Sequence, residues 1–511
     1  MNRSTSRPHV VIVGGGIAGL AAAFFLRDEP VRVTVLEGSP RLGGKLCVSE
    51  IAGVAVDEGA EALLVTRPEG TGLIAEVGLA GDRVAPGTTS SAIWTLGALR
   101  PLLRRQFMGV PSDLAELARS GVVSGEGATR ASQDLELPPT TRDGDVPVAD
   151  FVGARFGSEV VDRLVDPLLG GVYAGRSSEL SFEATMPALA AASRRYRSLA
   201  EAAGSLLPPP APVGAGEPDR APAGPRSGGS VFTTLVGGLG QLPAFLAKAS
   251  GAEVRTSAMT RVLSPAPGVL RAACSPGAAG APGAGPGWRL TVGSAAAEEL
   301  IDADAVILAV PARPAARLLT GVPGASAAIT AFGEISYASM AIVTLAYPRS
   351  AFPGAGLAAL GWSGYLVPAV DGRAVKAVTF SSVKWPHLAD GTAPGAEPLE
   401  VVRCSVGRIG EEALVQRADE DLAAVAAAEL AAATGVHGAP AAHRITRWGG
   451  ALPQYTVGHL DRVARIRTAV ATQPGLAVCG AAYEGVGIPA CIATAREAAS
   501  QVTEFLRGGR Q

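Results

Sequence analysis

A strand, a glycine turn, a helix and a second strand near the start of the chain constrain the fold most. Apolar, β-branched residues 10–13 predict a buried strand, and residues 21–26 predict a helix. Between them Gly14, Gly16 and Gly19 have the spacing G-x-G-x-x-G. The first glycine permits a tight turn, the second lets the backbone approach a pyrophosphate, and the third lets the helix pack on the strand. The pattern therefore predicts an α/β unit that binds a dinucleotide.

The residue that ends the second strand supports the same prediction. Apolar residues 31–36 predict that strand, and Glu37 follows it, 23 residues after Gly14. An acidic residue near this position binds ribose hydroxyls in dinucleotide sites, and the free N–H groups at the helix start face the phosphates. A chance glycine-rich turn is the alternative, but the flanking strands, helix and acid favour a dinucleotide site.

Composition excludes several other classes of function. The chain has 511 residues, enough for two or three domains, and 44 basic against 46 acidic residues, so no basic excess indicates a nucleic-acid partner. Five cysteines are scattered without C-x-x-C spacing, which favours a reducing cytoplasm over a disulfide framework. Five histidines show no H-E-x-x-H pattern, so we expect no metal site.

Membrane insertion is not expected, although surface contact with a membrane stays open. No signal or transit segment precedes the first strand, and no run of about 18 apolar residues occurs. Residues 100–107 mix basic and apolar side chains and could touch a membrane surface, but a solvated helix face is the commoner explanation. We therefore predict a cytoplasmic protein, with peripheral membrane association as an open alternative.

The segment after Glu37 selects among dinucleotides. Arg41, Gly43, Gly44 and Lys45 resemble the R-x-G-G-R signature of the flavin amine oxidase superfamily, with lysine in place of the last arginine. In that superfamily the segment continues the FAD site, whereas a basic surface turn is the alternative interpretation. The resemblance favours FAD over a free nicotinamide cofactor.

Five further stretches make the resemblance more specific. They are residues 167–180 (PLLGGVYAGRSSEL), 378–386 (VTFSSVKWP), 402–408 (VRCSVGR), 447–459 (RWGGALPQYTVGH) and 479–492 (CGAAYEGVGIPACI). Together with the first 45 residues they look like the oxygen-dependent protoporphyrinogen/coproporphyrinogen III oxidase family of haem synthesis. The first and last stretches are shared with general amine oxidases, and the middle three belong much more to the porphyrinogen oxidases.

The resemblance implies an α/β fold with three parts. These are a Rossmann-type FAD-binding domain built from discontinuous segments, an antiparallel-sheet substrate domain and a mainly helical domain. The expected segments are residues 1–72 (first FAD-binding segment), 73–203 (mainly helical domain), 204–230 (flexible Pro/Gly-rich insertion), 231–311 (second FAD-binding segment), 312–446 (substrate-binding sheet domain) and 447–511 (C-terminal FAD-binding segment).

The resemblance also implies which residues contact FAD. Val262 is expected near the adenine, and the turn before the last helix near the flavin ring, where helix N–H groups can face its N1–C2=O edge. A glycine-rich C-terminal turn without this role is the alternative. The expected contacts are Gly14, Gly15, Gly16, Ile17, Ala18, Gly19, Glu37, Gly38, Arg41, Gly44, Lys45, Gly59, Ala60, Glu61, Ala62, Val262, Val486, Gly487 and Ile488.

Substrate contacts are implied at fewer positions. The segment around Gly171 and Tyr173 resembles one that places a backbone carbonyl against pyrrole N–H groups, and Leu366 resembles an apolar residue that packs on the tetrapyrrole. Arg176 and Arg67 are candidate partners for propionates, because guanidinium pairs well with carboxylate. Core or surface roles are the alternatives at each position. No catalytic residue is certain; the candidates are Glu61 and Arg67, although relatives differ at the position of Glu61.

The implied reaction is the six-electron oxidation of a porphyrinogen, with O2 as acceptor and H2O2 as product. Coproporphyrinogen III is favoured, because the Ala/Gly/Arg/Pro-rich composition and the lack of a transit peptide resemble relatives from high-GC Gram-positive bacteria that use the coproporphyrin route. Protoporphyrinogen IX is the first alternative. A flavin amine oxidase, a carotenoid-type desaturase and a non-catalytic FAD/tetrapyrrole-binding protein stay open, as does transient contact with a ferrochelatase.

Overall fold

A computed structural model of the chain describes residues 7–140, 142–209, 231–267, 287–391 and 397–508. The predicted insertion at residues 204–230 lies outside these ranges, apart from residues 204–209. Across the part of the chain described, no helix combines the length and apolar character needed to cross a bilayer.

A five-stranded parallel sheet contains the predicted strand–helix–strand unit. β-Branched residues dominate its buried central strands, as expected where helices cover both faces. The predicted strands at residues 10–13 and 31–36 are confirmed within one residue. The strand order across the sheet is Glu253–Arg255, Arg32–Leu36, His9–Val13, Ala305–Leu308 and Leu476–Val478.

Helices from distant parts of the chain cover this sheet. Ile17–Phe25 and the C-terminal helix Ile488–Gly508 share one apolar cluster on one face. Ala312–Leu319, Ser326–Gly333 and His459–Ala471 share another cluster with the opposite face. Residues up to Ile335 therefore pack with this sheet, beyond the boundary at 311 that the sequence suggested.

A seven-stranded sheet forms the second layer. It is antiparallel, as expected, except between Gly364–Leu366 and Ala92–Thr95, which pair in parallel. The hairpin at residues 92–101 joins it from within the segment expected to be mainly helical. The strand order is Ala442–Pro453, Tyr337–Pro348, Leu399–Val406, Val375–Phe380, Gly364–Leu366, Ala92–Thr95 and Ala98–Pro101.

Short helices dominate residues 114–204, and side chains cap four of them. Asp113, Ser124, Ser181 and Ser198 each accept the N–H of the third residue that follows, which satisfies a donor that the helix start leaves unpaired. These helices are Leu114–Ser120, Gly125–Ser132, Val148–Phe156, Ser158–Val160, Asp166–Tyr173, Phe182–Thr185, Pro187–Ser193 and Leu199–Gly204, with a π-helical turn at Val161–Val165.

The remaining elements connect these layers. The strands are Val48–Ile51 with Val54–Asp57, Gln106–Phe107 with Val110–Pro111, Leu63–Leu64 and Arg83–Val84 on either side of Phe232–Leu235, and the three-stranded meander Thr260–Pro265, Trp288–Ser294 and Ala297–Ala303. The helices are Pro68–Glu76, Leu242–Ser250, Ser381–Lys384, Glu412–Val415 and Asp419–Thr434. Short 3-10 turns lie at Ala80–Asp82, Gln133–Leu135, Leu239–Gln241, Arg349–Ala351, Leu357–Leu360, Ala369–Asp371 and Pro386–Gly391.

Candidate functional site

The glycine turn after the first strand has the close contacts that its spacing predicts. Gly14 adopts a φ of +111°, and an added Cβ there would overlap the Ala309 carbonyl. A Cβ on Gly19 would overlap the Gly14 carbonyl oxygen, so helix and turn meet at van der Waals distance. By contrast, a Cβ on Gly16 would meet no atom within 4 Å. The turn is therefore packed closely against backbone at Gly14 and Gly19, whereas Gly16 leaves space beside it.

The second glycine pair completes an open cradle beside Gly16. Gly43 N–H donates to the Gly15 carbonyl oxygen at 2.9 Å, and a Cβ on Gly44 would lie 3.5 Å from the Gly16 Cα. No side chain caps the helix Ile17–Phe25, and its first turn has no acidic residue. Unpaired N–H groups and a positive helix end attract an anion. The cradle thus fits the pyrophosphate of a dinucleotide.

Glu37 lies beside this cradle. Its carboxylate accepts the Gly15 N–H at 2.8 Å and the Ser39 N–H at 2.7 Å. Two backbone donors fix the carboxylate at the carboxyl end of the second strand, where ribose hydroxyls bind in such folds. The structure therefore brings Glu37 and the glycine turn together, as the sequence predicts.

Met259 lies beside Gly38, with its Sδ 3.0 Å from the position that a Gly38 Cβ would take. The Ala258 N–H also donates to the Glu37 carbonyl at 2.8 Å. Val262, which is expected near the adenine, lies in the strand Thr260–Pro265 that follows and is 44% exposed. Its contact with the adenine stays a prediction.

Lys45 and Gly59 hold the next part of the cradle together. A Cβ on Gly59 would overlap the Lys45 carbonyl oxygen, and the Ala60 N–H lies 3.3 Å from that oxygen. Burial lowers the pKa of the Lys45 ammonium, and a phosphate nearby would favour its charged form. Arg41 donates to the Gly44 carbonyl at 2.7 Å and lies over the Trp448 ring.

Glu61 is held between two cations. It forms ion pairs with Lys384, at 2.7 Å, and with Arg403. Burial alone would raise the pKa of Glu61, but the two cations outweigh burial and lower the pKa to about 2. A carboxylate of such low basicity is a poor proton acceptor at neutral pH. Glu61 therefore joins the first FAD-binding segment to the seven-stranded sheet, and its candidacy as a base is not supported.

The turn before the last helix is fixed by a residue that the sequence prediction missed. Tyr455 is buried, accepts the Gly485 N–H at 2.8 Å and donates to the Ala481 carbonyl at 2.7 Å. His459 stacks on the Tyr455 ring at 3.8 Å, and burial lowers the pKa of His459 to about 4. Both residues belong to the stretch PQYTVGH, which was the available signal. They hold the turn that carries Val486, Gly487 and Ile488.

The predicted substrate residues Gly171, Tyr173 and Leu366 meet at the end of the helix Asp166–Tyr173. A Cβ on Gly171 would lie 3.6 Å from Leu366 Cδ2. Leu366 and Val486 pack on the same apolar cluster that contains Tyr173. The structure thus brings the predicted substrate residues next to the turn that precedes the last helix.

Carbonyl groups at this helix end differ in their partners. The Tyr173 carbonyl accepts from Gln454 Nε2 at 2.7 Å, and the Ala174 carbonyl from the Ile409 N–H at 2.7 Å. In the ranges described, no group donates to the Gly171 carbonyl, which follows the bonded Gly170 carbonyl. Gly171 is exposed. Tyr173, Leu366 and Val486 form an apolar surface beside this carbonyl, which we call the candidate substrate wall. An open carbonyl beside an apolar surface suits a ligand that carries N–H donors.

The two candidate arginines lie apart from each other. Arg67 precedes the helix Pro68–Glu76 and pairs with Glu69 at 3.3 Å, with 45% of its side chain exposed. Gly70 in that helix lies against Pro489, so Arg67 is near the start of the last helix. Arg176 follows the Tyr173 segment and lies 3.7 Å from Glu411, with 41% of its side chain exposed. Both therefore have charge available for a ligand.

The family that this fold and site define matches nearly the whole chain. Residues 17–503 match the family described as flavin containing amine oxidoreductase, so the chain belongs to that family. The predicted family and α/β fold class are confirmed, and FAD is the cofactor of this flavoprotein enzyme.

Similar proteins span the chain from end to end. The coproporphyrinogen III oxidase of Mycobacterium tuberculosis is 36% identical over 97% of both proteins. The coproporphyrinogen III oxidase of Bacillus subtilis is 30% identical over 98% of this chain and 99% of that protein. The protoporphyrinogen oxidase of Bos taurus is 28% identical over 96% of this chain and 98% of that protein.

Solved structures support the same fold. A protein from Exiguobacterium sp. 255-15 superposes with a TM-score of 0.79 at 28% identity and covers 98% of this chain and 100% of its own. Putrescine oxidase bound to putrescine gives a TM-score of 0.61 at 16% identity over 97% of this chain and 99% of its own, which shows the fold alone. Within the residues described, no three His, Cys, Asp or Glu side chains lie close enough together to bind a metal ion.

Proposed function

We propose that the protein oxidises coproporphyrinogen III to coproporphyrin III, with FAD as cofactor and O2 as electron acceptor, in haem synthesis. The single observation that carries the proposal is the end-to-end similarity to coproporphyrinogen III oxidases at 36% identity. The apolar wall with an open carbonyl next to the last helix supports it, because a porphyrinogen is a large apolar macrocycle with pyrrole N–H donors.

The residues of this chain bind and orient such a substrate. When bound, FAD supplies an acceptor for two electrons and passes them to O2 as peroxide. Leu366 and Val486 form apolar surface for the macrocycle, and the Gly171 carbonyl would accept a pyrrole N–H. Holding a meso carbon at the flavin face and excluding water are tasks of position and packing. No acid–base side chain is needed for a carbon activated by four pyrroles, in agreement with Glu61 held as an ion-paired anion.

Coproporphyrinogen III is preferred over protoporphyrinogen IX for two reasons. The M. tuberculosis and B. subtilis coproporphyrinogen III oxidases are more similar to this chain than the bovine protoporphyrinogen oxidase is. Coproporphyrinogen III also carries four propionates, and Arg67 and Arg176 each have exposed guanidinium surface near the candidate wall. Protoporphyrinogen IX remains the second candidate because the bovine relative also matches the whole chain.

Partners and location follow from this proposal. The product is a free porphyrin that a metal-inserting enzyme must receive, so transient contact with a ferrochelatase is part of the proposal. A cytoplasmic location with peripheral membrane contact is part of the same proposal, because the macrocycle of the substrate is apolar although its propionates are charged.

The direct test is oxidation in air by the purified, FAD-loaded protein. Coproporphyrinogen III should yield fluorescent coproporphyrin III with about three H2O2 per porphyrin, because six electrons leave in pairs. Protein without FAD is the control for spontaneous oxidation. Porphyrin formed only at the spontaneous rate, without enzymatic peroxide, would instead indicate a binding protein. Peroxide from putrescine or benzylamine in place of the porphyrinogen would indicate an amine oxidase.

A further inference from the structure

The helix Asp166–Tyr173 ends at a residue in the left-handed conformation. Ala174 has a φ of +50°, which a residue other than glycine rarely adopts, and its N–H donates to the Gly170 carbonyl at 3.0 Å. In a helix that continued, the Gly175 N–H would donate to the Gly171 carbonyl, four residues earlier. The position at which this helix ends therefore leaves the Gly171 carbonyl open.

A buried glutamine fixes this helix end. Gln454 is 2% exposed, and its Nε2 donates to the Tyr173 carbonyl at 2.7 Å and to the Leu452 carbonyl at 3.0 Å. A flipped amide would place its oxygen against both carbonyl oxygens, so the two partners set the orientation of the amide. An added Cβ on Gly175 would overlap Gln454 Oε1. The amide thus satisfies a carbonyl that the helix end leaves unpaired and packs against the residue that follows Ala174.

The next residue in the chain fixes the turn before the last helix. The Tyr455 hydroxyl accepts the Gly485 N–H at 2.8 Å and donates to the Ala481 carbonyl at 2.7 Å. That turn carries Val486, which belongs to the candidate substrate wall. Two adjacent residues, Gln454 and Tyr455, therefore hold the helix end with the open carbonyl and the turn at which the flavin ring is expected.

Such a connection matters for electron transfer from a carbon atom to a flavin. The reacting atoms must lie about 3–3.5 Å apart, and a misplacement of about 1 Å can lower the rate about 100-fold. The Gly171 carbonyl would orient the substrate, and the turn that carries Val486 would lie against the flavin. The segment that joins the two sides therefore sets their alignment.

We propose that Gln454 is a positioning residue for the oxidation of the porphyrinogen. Its amide holds the Tyr173 carbonyl, so that the helix ends at Ala174 and the Gly171 carbonyl stays open at a fixed place relative to the turn held by Tyr455. Gln454 is buried and acts through the Tyr173 segment, not by contact with the substrate. This inference rests on the proposed function and adds the residue that aligns substrate and flavin.

The test compares Gln454→Met with the parent in the FAD-loaded protein. Methionine has a similar length and no N–H donors, so the helix end should shift. At saturating coproporphyrinogen III without oxygen, the rate constant of flavin reduction per bound FAD should fall about 10- to 100-fold. The dissociation constant of coproporphyrin III should stay within about threefold, because the apolar wall remains. Gln473→Met, which removes a bond from Nε2 to the Pro323 carbonyl at a partly exposed site, is the matched control and should keep the parent rate.

Rescue by Gln454→Glu separates positioning from a purely structural role. A protonated carboxyl group has one O–H donor for the Tyr173 carbonyl, whereas a carboxylate has none, and burial favours the protonated form. Divided by the parent rate at each pH, flavin reduction by Gln454→Glu should therefore recover from about pH 8 to about pH 6 and exceed that of Gln454→Met. The ionisable rings of the bonded segments keep their charge over this range, because burial raises the pKa of Tyr173 to about 12, raises that of Tyr455 and lowers that of His459 to about 4.

Three results would overturn the positioning role. An unchanged rate constant in Gln454→Met, whatever its melting temperature, would show that Gln454 only stabilises the fold. A weaker affinity for coproporphyrin III with an unchanged rate at saturation would show that it serves binding alone. A Gln454→Glu variant as slow as Gln454→Met at about pH 6 would contradict donation to the Tyr173 carbonyl.

A second variant keeps the proposal testable should Gln454→Met not fold. Gly175→Ala adds a Cβ that would overlap Gln454 Oε1 and so moves the amide off the Tyr173 carbonyl. Flavin reduction should then fall about tenfold, and an unchanged rate would overturn the proposal. A parent protein whose flavin no porphyrinogen reduces would instead refute the proposed function itself.

Discussion

Backbone atoms form the cradle around Gly14, Gly16 and Gly19, whereas side chains form the candidate substrate wall. In the cradle, backbone makes the decisive contacts: Gly14 and Gly19 touch at van der Waals distance, and Gly16 leaves N–H groups open. At the candidate substrate wall, apolar side chains from separated segments meet, and Arg176 follows the Tyr173 segment. An added Cβ at Gly14 or Gly19 would displace backbone, whereas single substitutions at a side-chain site can change its ligand.

The difference accounts for how such a fold holds one cofactor and admits different substrates. Backbone N–H groups recognise phosphate whatever side chains surround them. In the proposed function, side chains such as Leu366 and Val486 face the substrate, so they set which molecule is oxidised. Substitutions in the two regions should therefore fail in different ways.

The largest effect should come from Gly19→Ala. The new Cβ would overlap the Gly14 carbonyl oxygen, so the turn must move and FAD affinity should fall about tenfold or more. The ratio of flavin to protein absorbance after purification measures this loss. Gly72→Ala, at an exposed position of the helix Pro68–Glu76, meets no atom within 4 Å and is the control. It should keep FAD and add about 0.5–1 kcal/mol to the unfolding free energy. Full FAD content in Gly19→Ala would contradict the tight packing.

Glu61→Gln should have the next largest effect, on stability. Removing the carboxylate leaves Lys384 and Arg403 without their common anion, which should cost about 3 kcal/mol of unfolding free energy at pH 7. The low native pKa of Glu61 means that this stabilisation is present above about pH 4.5 and is lost as pH falls toward 2. Urea unfolding of both proteins across this range should therefore converge at low pH.

A partly exposed ion pair provides the control for Glu61→Gln. Glu69→Gln breaks the partly exposed Arg67–Glu69 pair and should change the unfolding free energy by less than about 0.5 kcal/mol. Equal effects of the two substitutions would mean that Glu61 does not join the first FAD-binding segment to the seven-stranded sheet.

His459→Phe should remove a pH dependence of stability. Burial lowers the pKa of His459 to about 4, so the unfolded chain takes up a proton below pH 6.5 that the native state does not. Between pH 7.5 and 5 this histidine should therefore remove about 2 kcal/mol of unfolding free energy from the parent. The phenyl ring keeps the stack on Tyr455. Parallel pH profiles for parent and variant would show that His459 does not remain neutral in the fold.

Tyr455→Phe should show the smallest effect. It removes the hydroxyl that accepts the Gly485 N–H and donates to the Ala481 carbonyl, at a cost of about 1–2 kcal/mol. Urea unfolding measures the loss, and a shifted flavin spectrum should accompany it because Tyr455 fixes the turn at Val486. Tyr347→Phe, buried in the seven-stranded sheet, is the control. An unchanged flavin spectrum would show that the turn keeps its position without the hydroxyl.

The two regions also differ in how far the sequence predicts them. The cradle could be predicted because Gly14 to Glu37 are contiguous and their spacing follows from turn and helix geometry. The contact between Met259 and Gly38 could not be predicted, because it depends on how the distant residues 258–259 pack beside Glu37. A resemblance found Gly171, Tyr173 and Leu366 individually, and the structure brings them together.

The partners of Glu61 and the burial of Lys376 could not be predicted from local sequence patterns. Glu61 meets Lys384 and Arg403 across more than 300 residues of sequence. In the sequence Lys376 has the neighbours of an ordinary strand residue, and only the fold buries its ammonium without an acceptor. Pairings between distant segments are not encoded in local spacing, so they emerge only with the tertiary structure.

The most direct measurement mixes the FAD-loaded protein with coproporphyrinogen III, and separately with protoporphyrinogen IX, in the absence of oxygen. Flavin absorbance at about 450 nm reports electron transfer before any reaction with O2. We predict rapid bleaching by coproporphyrinogen III and slower bleaching by protoporphyrinogen IX, with porphyrin fluorescence in both only after O2 is admitted, because the flavin accepts two of the six electrons at a time. Faster bleaching by protoporphyrinogen IX would contradict the preference for four propionates, and no bleaching by either would contradict the assignment as a porphyrinogen oxidase.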